Sequence, residues 1–421
     1  MTTPRALFVI TIAVLMSACT HQETAGSLSL PPAPAEADAR QDLAREQVAK
    51  SHTYHERMAV MATPAASVMV GGGAMQDAWQ PGPENREKYA GISDNPVKRT
   101  NAEPVSTFSL DVDTGSYSNV RRFLSQGQLP PRDAVRVEEL LNYFSYDYPA
   151  PKDAHPFAVA TELAAAPWNA DRWLLRVGVK AVEVKAAAMP AANLVFLVDV
   201  SGSMDSPDKL PLVQATLRQL VNELRPQDRV AMVVYAGRTA VELESTAGSD
   251  KEKIRAAIAR LQAGGSTAGE SAIRLAYQQA RAGFIKGGIN RILLATDGDF
   301  NVGITDMQQI KDMVAREREG GISLTTLGFG QGNYQEALME QIADVGNGNY
   351  SYIDSLEEGR KVLVEELSST FNTVAADVKL QMEFNPDVIS EWRLIGYENR
   401  VLREEDFRND KVDAAEVGAG K

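Results

Sequence analysis

The chain has 421 residues, 44% hydrophobic and 24% charged, with 43 Lys+Arg against 56 Asp+Glu for a formal net charge of −13. That much apolar material excludes a wholly disordered protein and allows about two domains with tails. The acidic balance argues against nucleic acid as the main partner, because no basic excess is present to neutralise phosphates. One cysteine excludes a disulfide framework and any multi-cysteine zinc site. Three of the four histidines (His21, His52 and His55) precede the part expected to fold, which leaves little for histidine-based catalysis.

Arg5 is followed by Ala6–Leu15, an apolar run of ten. That is too short to cross a bilayer and has the length of a signal-peptide core. Met16-Ser17-Ala18-Cys19 then sets small residues before the single cysteine. The stretch resembles the lipobox of bacterial lipoproteins, with Met16 where leucine is more usual. The resemblance implies a signal peptide over 1–18, cleavage before Cys19 and lipidation of its sulfur. Thr20 in place of aspartate favours the outer membrane over the inner. The alternative, a buried free cysteine, fits poorly with a residue directly behind an export signal. The lipid is expected to be the only membrane attachment, since no other apolar run approaches 18 residues.

Residues 19–100, with Pro31-Pro32-Ala33-Pro34-Ala35 and Gly71-Gly72-Gly73, read as a lipidated and mostly disordered tether. A helix is expected near Glu36–Met61, and His52 and His55 read as solvated rather than metal-bound. The next region, 101–190, carries strands at Phe108–Val112, Phe157–Leu163 and Trp173–Val184 and short helices at Ser116–Leu124 and Val135–Phe144. Asp111-Val112-Asp113-Thr114-Gly115-Ser116 superficially resembles a calcium loop. Its sixth and twelfth positions are Ser116 and Arg122, where an EF-hand needs Gly and Glu. A strand end followed by a Thr114 or Ser116 helix cap is the better reading. His155, beside Pro156, reads as structural or solvated. Trp168, Trp173 and Trp392 are expected to pack within the flanking region, although an exposed tryptophan there would mark a contact face.

From about residue 191 to 372 strands and helices alternate. Leu194–Val198 is a continuous apolar run, the mark of a strand buried on both faces. Val213, Leu217, Leu220 and Leu224 then recur at helical spacing. Strands are expected at Arg229–Tyr235, Arg291–Thr296, Ile322–Leu327 and Tyr350–Ile353. Helices are expected behind capping boxes at Ser249–Glu252 and Ser355–Glu358, the latter reaching Phe371, behind a Thr305 cap, and over Glu270–Lys286. The pattern specifies an α/β domain with a doubly wound, mainly parallel sheet and helices on both faces. Gly328–Asn333 reads as a flexible turn, lacking the last glycine of a dinucleotide fingerprint. Gly346–Asn349 reads as a tight turn. Asp377–Phe384 alternates like the strands before 190. The two flanks are therefore expected to pair into one mainly antiparallel β module around the inserted α/β domain. The C-terminal part, 373–421, ends in a polar stretch with no closing strand and reads as truncated.

In open parallel sheets, ligands bind outside the carboxyl ends of the strands. Three segments fall on that rim: Asp199-Val200-Ser201-Gly202-Ser203, Gly264-Gly265-Ser266-Thr267 and Asp297-Gly298-Asp299. All their donors are oxygens, which suit Mg²⁺, Mn²⁺ or Ca²⁺ rather than zinc or copper. Taken alone, the first segment is equally a helix N-cap. Asp299 is either a second-layer group or a loop carboxylate, and Glu270 reads as a first-turn residue favoured by the helix dipole.

Asp-Val-Ser-Gly-Ser resembles the DxSxS motif of von Willebrand factor type A (VWA) domains. Gly-Ser-Thr and Thr-Asp-Gly resemble the threonine loop and second aspartate of their metal-ion-dependent adhesion site. The run Ala295–Gly303 and the flank Phe108–Leu124 look like a bacterial family of VWA lipoproteins with extra N- and C-terminal regions. The resemblance implies that Ser201, Ser203 and Thr267 bind a divalent cation, Mg²⁺ by preference, through hydroxyl oxygens or water. Asp199 and Asp297 would act directly or through bridging water. An ion under-neutralised in this way seeks a carboxylate from a protein partner's Asp or Glu, which makes a binding device with no catalytic residue. The leading expectation is thus a cell-envelope lipoprotein that grips a protein partner, with no nucleic acid bound. The alternatives are a structural envelope protein with a loop-bracing metal, or a metal-dependent hydrolase using Asp299 or Glu270 as base.

Overall fold

The structure is a computed structural model that describes residues 9–13, 86–152, 155–265, 269–298, 307–409, 412, 414 and 416–421. The helix expected near Glu36–Met61, Cys19, His52, His55, Thr267, Asp299 and the Thr305 cap lie outside them, and of Glu270 only the backbone is described.

In chain order, the N-terminal part comprises β1 (Val9–Ala13), β2 (Lys98–Arg99), β3 (Val105–Ser109), helix α1 (Gly115–Ser125), helix α2 (Val137–Asn142), β4 (Phe157–Ala166) and β5 (Asn169–Ala181). The α/β part follows with β6 (Ala192–Asp199), α3 (Leu210–Glu223), β7 (Arg229–Tyr235), β8 (Thr239–Ala247), α4 (Lys251–Arg260) and α5 (Gly269–Ala282). It continues with β9 (Ile289–Thr296), α6 (Met307–Glu319), β10 (Ser323–Phe329), α7 (Glu336–Val345), β11 (Tyr350–Ile353), α8 (Leu356–Arg360) and α9 (Leu367–Phe371). The C-terminal part adds β12 (Thr373–Ala375), β13 (Lys379–Glu383), β14 (Glu391–Trp392) and β15 (Val417–Gly418).

The six-stranded sheet runs β11-β10-β9-β6-β7-β8. Only the β7–β8 pairing is antiparallel. β6 sits inside it, and its alternation sorts side chains to two cores. Leu194, Phe196 and Val198 pack with Val213, Leu217 and Leu220 of α3 and Ile254 and Ile258 of α4. Val195 and Leu197 pack on the other face with Ile273, Ala276 and Tyr277 of α5, Ile310 and Val314 of α6, and Met339 and Ile342 of α7. All eight residues of β6 are buried, which is why the strand reads as an unbroken apolar run. Full burial of one such Val, Leu or Phe side chain contributes roughly 1.5–3 kcal/mol.

The strands before and after this domain pair with each other. β3 lies antiparallel to β13 with Phe108 opposite Leu380, and β2 pairs with β14. β1 runs parallel to β13 on its other side. Phe108, Leu110, Val378, Leu380 and Val417 form a small core of their own.

Several local expectations are overturned. β8 and α7 carry no counterpart in the sequence reading. The Asp250 side chain makes no capping bond at the start of α4, whereas the Ser355 hydroxyl accepts from the Glu358 N–H at 3.2 Å as expected. The helix behind Ser355 is broken at Lys361–Glu365 by a π-helical turn. Neither Thr114 nor Ser116 caps α1 with its side chain; the Ser116 N–H instead donates to Glu139 Oε2 at 2.7 Å, so the cap comes from α2. Trp168 and Trp173 are 70% and 66% exposed on the β4–β5 hairpin, whereas Trp392 stacks on Phe384. Gly328–Asn333 is anchored rather than free: the Tyr352 hydroxyl donates to the Gly330 carbonyl at 2.6 Å and the Gly332 N–H to Glu87 Oε1 at 2.8 Å.

Candidate functional site

β6 and β9 are adjacent and parallel, so the residues at their carboxyl ends emerge side by side. Asp199 ends β6 and Asp297 directly follows β9; both are fully buried. Thr296 ties them together. Its hydroxyl donates to Asp199 Oδ2 at 2.9 Å and accepts from the Gly298 N–H at 3.1 Å. Gly298 is required there by geometry: its φ is +87°, and a Cβ would lie 2.6 Å from the Gln335 nitrogen.

Asp199 Oδ1 accepts from the Ser201 N–H at 2.8 Å, an Asx-type turn that folds the DxSxS segment back over the strand end. The turn sets the Ser201 and Ser203 hydroxyl oxygens 2.9 Å apart, with Ser201 buried and Ser203 exposed. The loop after α4 is held against the same turn. The Gly202 N–H donates to the Gly265 carbonyl at 3.0 Å and the Gly264 N–H to the Val200 carbonyl at 2.8 Å. The structure thus assembles Asp199, Ser201, Ser203 and Asp297 on one rim, together with the loop that leads to Thr267.

Burial pushes the Asp199 carboxyl up to about 6, and the charge of Asp297 adds to the push, against the bonds from Ser201 and Thr296 that lower it. Behind it, burial and the Asp199 charge drive the Tyr235 phenol well above its ordinary range, so Tyr235 stays neutral.

Two further side chains reach Asp297. Lys209 Nζ donates to Asp297 Oδ2 and to Asn333 Oδ1, both at 2.9 Å, and Asn333 Nδ2 donates to the same Asp297 oxygen at 3.0 Å. Neither residue was among those singled out from the sequence. Lys209 falls ahead of a helix and Asn333 in a glycine-rich loop, and only the fold brings them to the second aspartate.

The donor set fits a hard dication. It offers two carboxylates and two hydroxyls, all oxygen, in a place where burial already disfavours the ionised form of Asp199. Among the described residues no three His, Cys, Asp or Glu side chains cluster in a way that would hold a metal ion, so such a site depends on the serines. No helix among the described residues is long and apolar enough to cross a membrane.

Comparison with known proteins agrees with this architecture. Residues 193–366 match the family model of the von Willebrand factor type A domain, residues 83–176 one described as von Willebrand factor, and residues 369–421 the C-terminal region of the uncharacterized protein YfbK. YfbK of Escherichia coli is 58% identical over 342 residues, covering 79% of this chain and 59% of that protein. An uncharacterized protein of Synechocystis is 28% identical over 194 residues, covering 46% of this chain and 45% of its own length. The chain therefore spans about half the length of these curated relatives. Among solved structures, the conserved hypothetical protein BatB of Bacteroides thetaiotaomicron aligns with a TM-score of 0.37 at 23% identity, covering 42% of this chain and 98% of that one.

Proposed function

We propose, from the premise that this chain is a bacterial protein built around a von Willebrand factor type A domain, that it binds a protein partner through a divalent cation held at the carboxyl edge of the sheet. VWA domains serve protein interaction, and here a cation at the sheet's carboxyl edge supplies the grip. Ser201, Ser203 and Thr267 would hold the cation through oxygen or water, with Asp199 and Asp297 acting directly or through water. A bound dication supplies an electrophilic corner for an outside carboxylate. Mg²⁺ suits a site with few carboxylates and retained waters, with Mn²⁺ or Ca²⁺ as substitutes. The partner contributes an Asp or Glu, and no bond-breaking step is needed. Cys19 carries the lipid that places the protein at the cell envelope, on the outer membrane.

The observation that carries this reading is the convergence of Asp199, Ser201, Ser203 and Asp297, which are joined through Thr296 although the two aspartates lie far apart in sequence. The test is isothermal titration with Mg²⁺, Mn²⁺ and Ca²⁺, paired with retention of envelope proteins on the immobilised chain. One dication should bind per chain. Retention should be lost in EDTA and in Asp199→Ala, while the melting transition survives. Retention untouched by both treatments refutes the proposal.

A further inference from the structure

Lys209 is not one of the oxygen donors, yet it occupies the same site. Its side chain is 8% exposed, and its ammonium sits between Asp297 Oδ2 and Asn333 Oδ1. The fold makes room for it. The aliphatic stem crosses Gly330, where φ is +73° and a Cβ would collide with Lys209 Cγ and Cε. Asn333 turns its amide so that its oxygen accepts from Lys209 while its nitrogen donates to Asp297, which closes a three-membered ring of hydrogen bonds. A surface lysine that happened to reach an acid would need neither the glycine nor the amide. Among the described residues, the buried charges of the site are Asp199, Asp297 and Lys209, a net −1.

We propose that Lys209 is the built-in counter-cation of this site: it neutralises Asp297 when no metal is bound, and it leaves the loaded site with a net positive charge that an outside carboxylate must satisfy. This inference rests on the metal-binding reading above. With the lysine present, a dication brings the total to +1; without it, the same ion would be neutralised by the two aspartates alone. Lys209 therefore weakens the hold on the cation by itself and strengthens its demand for an acidic ligand. It acts as a positioning and charge-setting residue, because it pins one oxygen of Asp297 and never needs to touch the ion.

The experiment is titration calorimetry of the full chain with MgCl₂, run on the wild type, Lys209→Met, Lys209→Gln and Lys209→Arg, with melting curves in EDTA to verify folding. Removing the buried positive charge that pairs with Asp297 at 2.9 Å is expected to tighten Mg²⁺ binding by about tenfold or more. Lys209→Met and Lys209→Gln should both show this, and Lys209→Arg should stay near the wild type. The melting temperature of Lys209→Met should fall in EDTA and recover with Mg²⁺ by more than the wild type gains. If the Met variant does not fold, the Gln variant, which keeps a donor toward Asp297, carries the test. Unchanged or weaker Mg²⁺ binding in a folded, uncharged variant overturns the role of Lys209 and leaves the metal site standing. A wild-type chain that takes up no Mg²⁺, Mn²⁺ or Ca²⁺ overturns the metal reading and this inference with it.

Discussion

Arg136→Met tests the contact between the N-terminal flank and α7 of the α/β domain. The Arg136 side chain is 3% exposed, with Nε 3.0 Å from Glu336 Oε1, an Nη 2.9 Å from Glu340 Oε2, and Glu139 Oε1 at 3.5 Å. Met fills much of the same volume but leaves three buried carboxylates without their shared cation. Breaking a buried ion pair from one side costs about 3–5 kcal/mol, because the remaining charge is uncompensated. Burial already pushes Glu340 up to about 8, aided by Glu336 and Asp344 and opposed by Arg136 and Arg400. In the variant that opposition falls, so Glu340 takes up its proton at still higher pH.

An acid whose folded-state value is raised binds more protons folded than unfolded, so its stabilising contribution is full below its ordinary value of 4.5 and is lost as pH rises through about 8. The Arg136→Met penalty should therefore be smaller near pH 5, where Glu340 is protonated in either protein, and should grow as pH rises through about 8. Urea unfolding at both values measures it. A loss below about 1 kcal/mol at pH 8, within reach of an ordinary exposed salt bridge, would refute the account of a buried and shared cation.

Other expectations follow from single contacts. Ser355→Ala removes the side-chain cap of α8 and should cost about 1 kcal/mol by urea unfolding. Gly298→Ala meets both a positive φ and the Gln335 backbone, so it should destabilise by more than about 1 kcal/mol and weaken Mg²⁺ uptake in the titration. Trp173→Ala, on the exposed hairpin, should leave stability within about 0.5 kcal/mol of the wild type in the same assay. Asp199→Ala should abolish saturable Mg²⁺ heat, since it removes a carboxylate and the acceptor that shapes the Ser201 turn.

The parts of the fold that were legible are those in which one residue type repeats at one period. β6, β7 and β11 are short, apolar and buried, and β7 and β11 end where the sequence pattern ends. β8 was overlooked although Val241 and Leu243 alternate with Glu242 and Glu244. An edge strand with one wet face is short of apolar residues and resembles a loop. α7 was overlooked because its first turn lies behind the glycine-rich loop and because it buries Glu336 and Glu340, two acids that sequence reading assigns to a solvated face. The Ser249–Glu252 box fails for the opposite reason: the pattern is present, but Asp250 is the residue ahead of α4, its side chain makes no capping bond, and its carbonyl accepts from the Lys253 and Ile254 N–H groups. The placement of Asp199, Ser201, Ser203 and Asp297 on one rim was legible because local motifs at strand ends mark them.

Lys209 and Asn333 were not legible, and the reason extends to the flank. The loop that presents Asn333 is secured from outside the α/β domain. The Arg86 N–H donates to the Gly332 carbonyl at 2.6 Å, the Lys88 N–H to the Tyr334 carbonyl at 2.8 Å, and the Glu336 N–H returns to the Lys88 carbonyl at 3.1 Å. Glu87 takes the Gly332 N–H and is itself clamped by Arg122 of α1 through two bonds of 2.8 Å. Three residues past Asn333, α7 begins, and its Glu336 and Glu340 are held by Arg136. The segment carrying the lysine's amide partner is therefore bounded on one side by residues 86–88 and on the other by the buried arginine. Separations of 200 residues and more stand between these partners, and no periodic pattern records them. The flanking region thus shares the wall of the candidate site, and the position of Asn333 against Asp297 depends on contacts that the α/β domain cut out alone would lose.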